Sequence, residues 1–161
     1  MKIISIDNQE INTDCLGCSI ANKEISGIGG IIYESEYFIV SQDFEIPILG
    51  FMVISSKRHI SNILDFSKAE FQDFTEILLK TRKALKQAVS INIVNIIQKE
   101  SRSHFHLWFL PLYQWMEPFG DKLKGISEII QYAKQNLKTE QNLKEILDYS
   151  SKIKDFINTK N

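Results

Sequence analysis

Histidine and cysteine are the side chains best suited to metal binding and to nucleophilic or proton-transfer chemistry near neutral pH. This 161-residue chain holds three histidines and two cysteines, and they are not scattered. Cys15 and Cys18 bracket a CLGC segment, His104 and His106 bracket a single phenylalanine, and His59 stands alone between the two pairs. Cysteines so close together cannot close a stabilising loop as a disulfide. Two thiolates from one turn do suit a tetrahedral metal such as Zn(II), which commonly completes its shell with two imidazoles. The same CxxC also admits a reduced thiol pair or a redox motif, and the redox reading would want a strand before it and a helix after it, a context the sequence does not suggest. On a strand, alternation would put His104, His106 and Trp108 on one face and Phe105, Leu107 and Phe109 on the other. The polar row would then face a cleft, a metal or another chain, or would be two satisfied histidines on a sheet surface.

These residues need elements to hold them. The first 30 residues show no clear periodicity and read as an ordered loop carrying the CxxC, closed by SGIGG. IIYE and YFIVSQD, separated by Ser35 and Glu36, read as a β-hairpin, and GFMVISSKR follows a turn around Pro47 to Gly50. From Ser67 the period changes. Phe71, Phe74, Ile77, Leu78, Leu85 and Val89 fall at helical spacing, with Ser67 as N-cap and Glu70 completing a capping box. INIVNIIQ and SHFHLWFLP read as two further strands, the second ended by Pro111. Two amphipathic helices follow, one carrying Ile126, Ile129, Ile130, Ala133 and Leu137, the other Leu143, Ile146, Leu147, Ile153, Phe156 and Ile157. They would pack on the sheet or on a second subunit. The expected fold is α+β: a five-stranded antiparallel sheet under one long helix, with two C-terminal helices, in a single domain over 1–161. Its core would span about 15–116 and its helical extension about 120–158.

Composition narrows the function classes. Hydrophobic residues at 43% and charged residues at 24% are ordinary for a globular chain. A formal net charge of −1 gives no reason to expect nucleic acid or an anionic membrane as partner. No apolar run approaches the ~20 residues that span a bilayer, and MKIISIDNQEINTD lacks the basic and apolar segments of a secretory signal. A cytoplasmic location is the expectation.

His104-Phe105-His106-Leu107-Trp108-Phe109-Leu110, with Pro111 after it, resembles the histidine-triad motif, Trp108 standing where the third histidine would be. The resemblance runs upstream through the hairpin, Asp43, the strand ending in Lys57-Arg58-His59 and the long helix, covering about residues 15 to 116. It is nearest the zinc-bearing bacterial branch, to proteins described as diadenosine tetraphosphate hydrolases. It implies a structural zinc on Cys15, Cys18, His59 and His104. His106 is then the histidine left free, and a neutral imidazole can attack an α-phosphate without a separate base, forming a nucleotidyl-His106 intermediate. The resemblance further implies that Asp43 binds the ribose hydroxyls, the alternative being a turn aspartate, and that Gln98 and Ser101 contact phosphate. Lys99 and Arg102 could add charge or be solvated, and Ile20, Phe38 and Ile39 could line a base pocket or belong to the core.

Trp108 departs from the motif within the nucleotide site. Indole donates one hydrogen bond but shuttles no proton, so a leaving group stable as an anion is favoured over an amine. The departure thus favours a dinucleoside polyphosphate, such as diadenosine tetraphosphate, or a nucleotide sugar over a phosphoramidate, and family habit implies a homodimer built across the long helix and an edge strand. Two other readings stay open. One is a nucleotide-binding or scaffold protein that kept the zinc-stabilised fold without turnover. The other is a partner-binding patch of Tyr113, Trp115, Met116 and Phe119, residues that could equally be core.

Overall fold

The computed structural model describes residues 1–100, 104–120 and 123–159. Its elements in chain order are β1 (Lys2–Ile4), β2 (Glu10–Asn12), α1 (Leu16–Ala21), β3 (Ile31–Glu34), β4 (Phe38–Gln42), β5 (Met52–Ser56), α2 (Lys68–Gln87), β6 (Val94–Gln98), β7 (His106–Pro111), α3 (Leu123–Asn136) and α4 (Glu140–Thr159). Strands β3 to β7 form one antiparallel sheet in the order β3-β4-β5-β7-β6, so the expected α+β fold with a five-stranded antiparallel sheet is observed. The last strand inserts between β5 and β6. This brings His106 level with Ser55 and Trp108 level with Val53.

Alternation gives the sheet two unlike faces. Phe38, Val40, Met52, Ile54, Phe105, Leu107 and Phe109 point to one side and form the main core with Phe74, Ile77 and Leu85 of α2 and Ile153 and Ile157 of α4. Phe66, Phe74 and Phe105 pack edge to face there. Burying each such side chain contributes roughly 1.5–3 kcal/mol. On the other face, Phe51 and Leu110 meet Ile129 and Ala133 of α3 in a second cluster. Both C-terminal helices thus cover this chain's own sheet. Tyr113, Trp115 and Phe119 pack against the second cluster and Met116 is buried in it, which answers the question of a partner patch in favour of core.

Helix α2 begins as its sequence requires. Ser67 accepts from the Glu70 amide while Glu70 reaches back to the Ser67 amide, a reciprocal capping box. The same Glu70 carboxylate binds the Arg58 guanidinium, which holds its pKa down to about 2 and ties the helix start to the residue beside His59. Two apolar positions of the helical patterns nevertheless face outward, Phe71 at 49% and Leu147 at 47% exposure.

The N-terminal segment departs from the expected loop. Residues 2–12 form a two-stranded hairpin, tethered where the Ile6 amide donates to the Phe44 carbonyl, and α1 opens directly after Cys15. Strands of three residues and a helix of six are too short to write a period into sequence. Gly50, at φ 67, turns the chain into β5, and a Cβ there would meet the Ile91 side chain at 2.4 Å. Among the described residues no helix is long and apolar enough to cross a membrane.

Candidate functional site

Four side chains from three regions converge at the α1 end of the sheet. Cys15 sits at the N-cap of α1 and Cys18 one turn in, so both sulfurs point the same way. His59 follows β5, and His104 stands two residues before the start of β7. Their ligand atoms all lie within 4.8 Å of one another. His59 Nδ1 stands 3.4 Å from Cys15 Sγ and 3.3 Å from Cys18 Sγ, and His104 Nδ1 stands 3.4 Å from each. A tetrahedral zinc, with bonds of about 2.3 Å to sulfur and 2.0–2.1 Å to nitrogen, requires sulfur–nitrogen edges of about 3.5 Å. The donor set fits such an ion in chemistry and in spacing.

The surroundings fit as well. His104 Nε2 donates to the Ser56 carbonyl at 2.6 Å, and a carbonyl can only accept, so the proton lies on Nε2 and the Nδ1 lone pair faces the sulfurs. Burial holds the His104 pKa below the usual imidazole value, which keeps it in the neutral form that ligates. Burial and the neighbouring Cys15 push the Cys18 thiol up to about 11. The motif does lie between a strand and a helix, since β2 precedes it and α1 starts within it, yet two imidazoles stand beside both thiols.

Gly17 is a residue that sequence reasoning passed over. A Cβ at this position would lie 2.5 Å from His104 Cγ, so only glycine lets α1 approach the ring. The signal was available in the CLGC motif itself.

His106 is placed differently. Its Nδ1 donates to the His104 carbonyl at 2.9 Å, which leaves Nε2 as the free lone pair of the neutral ring. The ring lines a cavity of about 370 Å³ on the α3 side of the sheet, walled by Leu16, Ile20, Phe44, Val53 and Trp108, with Asp14, Ser41, Asp43, Glu45 and Ser55 among its polar members. His59 and His104 close one end of it. The cavity is thus mostly apolar with a few convergent polar groups, the usual make-up of a small-molecule site.

Asp43 fits both of its readings. Its Oδ1 accepts from the amides of Glu45 and Ile46 at 2.9 Å each, a turn role, while the residue is 8% exposed and lines the His106 cavity. Burial pushes its pKa up to about 6, against the pull of those two amides. Trp108 packs edge to face on Phe51 at 5.4 Å and lies 5.7 Å from the His106 ring, so it is a wall of the cavity continuous with the second core cluster. Ile20 reaches the cavity, and Phe38 lies in the main core on the opposite face.

Gln98 is not brought to His106. It pairs with Leu107, and directly paired residues share a face, so it lies on the helix α2 side of the sheet. Even parity along β6 and β7 decides this, and neither strand's sequence alone sets the register. Lys99 is exposed outside the cavity, and Ser101 and Arg102 lie outside the described residues.

No protein-family model matches the sequence, and a comparison with curated proteins finds no match. Solved structures do match. A protein described as a histidine triad nucleotide-binding protein from Sulfolobus tokodaii superposes with a TM-score of 0.60 at 21% identity, covering 91% of this chain and 99% of that one. A Zn-bound histidine triad family protein from Mycobacterium smegmatis gives 0.58 at 17% identity over 86% and 94%. A HIT family member from Bacillus subtilis gives 0.59 at 18% identity over 80% and 100%. The chain therefore has the fold of histidine-triad proteins.

Proposed function

We propose that this protein is a nucleotide hydrolase or nucleotidyl transferase in which His106 Nε2 attacks an α-phosphorus. The observation that carries the reading is the division of labour within the HxH pair. His104 is committed to the sulfurs through Nδ1, and His106 has its Nδ1 occupied and its Nε2 free at the wall of a cavity. The lone pair forms a P–N bond as the P–O bond to the leaving group breaks, and water or another acceptor then resolves the nucleotidyl-histidine. In that cavity Asp43 has a carboxylate oxygen for ribose hydroxyls, and the apolar wall of Leu16, Ile20 and Phe44 suits a base. Ser101 stays a proposed phosphate contact by resemblance, and Gln98 would act only if its side chain came round the sheet edge.

Cys15, Cys18, His59 and His104 would hold a structural Zn(II), which supplies cross-linking of the N-terminal segment to the sheet. With an indole at Trp108, which shuttles no proton, a dinucleoside polyphosphate such as diadenosine tetraphosphate fits better than a phosphoramidate. Its departing polyphosphate needs little protonation. The protein would work as a homodimer in the cytoplasm.

Acid-labile incorporation of labelled AMP at His106, found by mass spectrometry, tests the mechanism, and His106→Ala should lower hydrolysis of diadenosine tetraphosphate by at least 10³-fold. Full activity of that variant would overturn it. Trp108 also supports a second reading, a binding protein without turnover, and tight AMP binding by an inert parent protein would favour that one.

A further inference from the structure

Ser55 is a polar residue of the cavity that no role above uses. It lies directly opposite His106 in the β5–β7 pairing, so the two side chains share the cavity face of the sheet with Cβ atoms about 4.5–5.5 Å apart. It is 7% exposed and lines the same cavity. Its hydroxyl is hydrogen-bonded to no described residue, nor is it among the side-chain oxygens sealed from solvent without a partner. It differs in this from its neighbour Ser56, which is 1% exposed and turned toward His104 Nε2 at 3.2 Å. A donor without a partner among the described residues, at the wall of a site, is available to a ligand.

The ligand atom beside it follows from the chemistry. Resting on the reading of His106 as nucleophile, we infer that the Ser55 hydroxyl donates to a non-bridging oxygen of the α-phosphoryl group. As His106 Nε2 forms its bond to phosphorus and the leaving oxygen takes the electron pair of the breaking P–O bond, charge is redistributed over the non-bridging oxygens. A fixed donor in a mostly apolar cavity stabilises that charge more than water does. The hydroxyl keeps its proton throughout, so it does not replace the acid missing at position 108. Ser55 is thereby a catalytic residue for both the formation and the hydrolysis of the nucleotidyl-histidine, since the same oxygens carry the charge in each step.

The test compares Ser55→Ala, Ser55→Thr and His106→Ala in the full metal-loaded protein, using diadenosine tetraphosphate and the two diastereomers of an α-phosphorothioate analogue. Ser55→Ala should lower kcat about 100-fold. It should leave KM and metal content near the parent values, while Ser55→Thr recovers most of the rate. Sulfur accepts hydrogen bonds poorly, so one diastereomer should be a slow substrate for the parent, and Ser55→Ala should erase that preference. Ser55→Ala within twofold of the parent, alongside an inert His106→Ala, would overturn the role of Ser55 alone. A slowed Ser55→Ala with an unchanged diastereomer preference would overturn it too, marking the serine as structural. A parent protein inert toward every α-nucleotidyl donor, or an active His106→Ala, would overturn the underlying function and the role of Ser55 with it.

Discussion

Asp43 has a measurable signature. A buried carboxyl with a pKa near 6 binds more protons than its unfolded counterpart near 3.8, so between those values rising pH destabilises the fold rather than stabilising it. Ribose hydroxyls donate to the ionised form, so ligand binding and deprotonation should be linked with the opposite sign. Affinity for adenosine, which carries no phosphate to titrate, should rise several-fold from pH 5 to pH 7. Asp43→Asn keeps an oxygen for the Glu45 and Ile46 amides and should flatten the profile in isothermal titration calorimetry. A profile unchanged by that substitution would remove Asp43 from the ribose site. His104 and His106, chemically identical side chains, behave differently because each tautomer is set by one backbone carbonyl, of Ser56 and of His104 respectively.

Short elements do the positioning. Helix α1 has six residues and could not hold itself together in water, since isolated helices need about 12–15 residues to be even marginal. Its place is set by Cys15 and Cys18 against two imidazoles and by the absence of a side chain at Gly17. Gly17→Ala should therefore push α1 off the His104 ring and lower bound metal from one ion per chain to well below one, measured by plasma mass spectrometry. Hydrogen exchange should then quicken in 2–21 while the amides of β4, β5 and β7 stay protected. Unaltered metal content would show that the loop can yield at no cost. Just after β5, the Arg58–Glu70 pair and the α2 capping box secure the backbone next to His59. The Lys57-Arg58 pair is thus largely structural, Lys57 being held by Glu34 and the Ser35 carbonyl.

The five-stranded sheet ends in two edge strands, β3 and β6. Strand β6 ends the order β3-β4-β5-β7-β6, whereas α4 lies against β3 at the other edge. Ile93 and Ile96 on or beside β6 are 64% and 52% exposed, and α2 exposes Phe71 and Leu79 at 49% and 55%. An edge with apolar side chains is where a second copy would add strand to strand. Analytical ultracentrifugation should find a dimer at micromolar concentration, and Ile96→Glu should shift it to monomer. A parent chain that sediments as a monomer throughout would refute the dimer.

The elements with a strong period were legible without coordinates: α2 with its capping box, the strands around Val40, Ile54 and Phe109, and both C-terminal helices each carry enough residues for burial to repeat. So was the donor chemistry, because the chain's three histidines and two cysteines fall into two compact motifs and one isolated position. What tertiary structure alone decided is the relation between elements. Insertion of β7 between β5 and β6 set Ser55 across from His106 and turned Gln98 to the other face, since a pairing register is a property of two strands and a one-residue shift inverts every side chain. The hairpin and α1 were hidden for a related reason, their conformation being imposed by the tertiary contacts at Phe44, His59 and His104 rather than by their own short sequences.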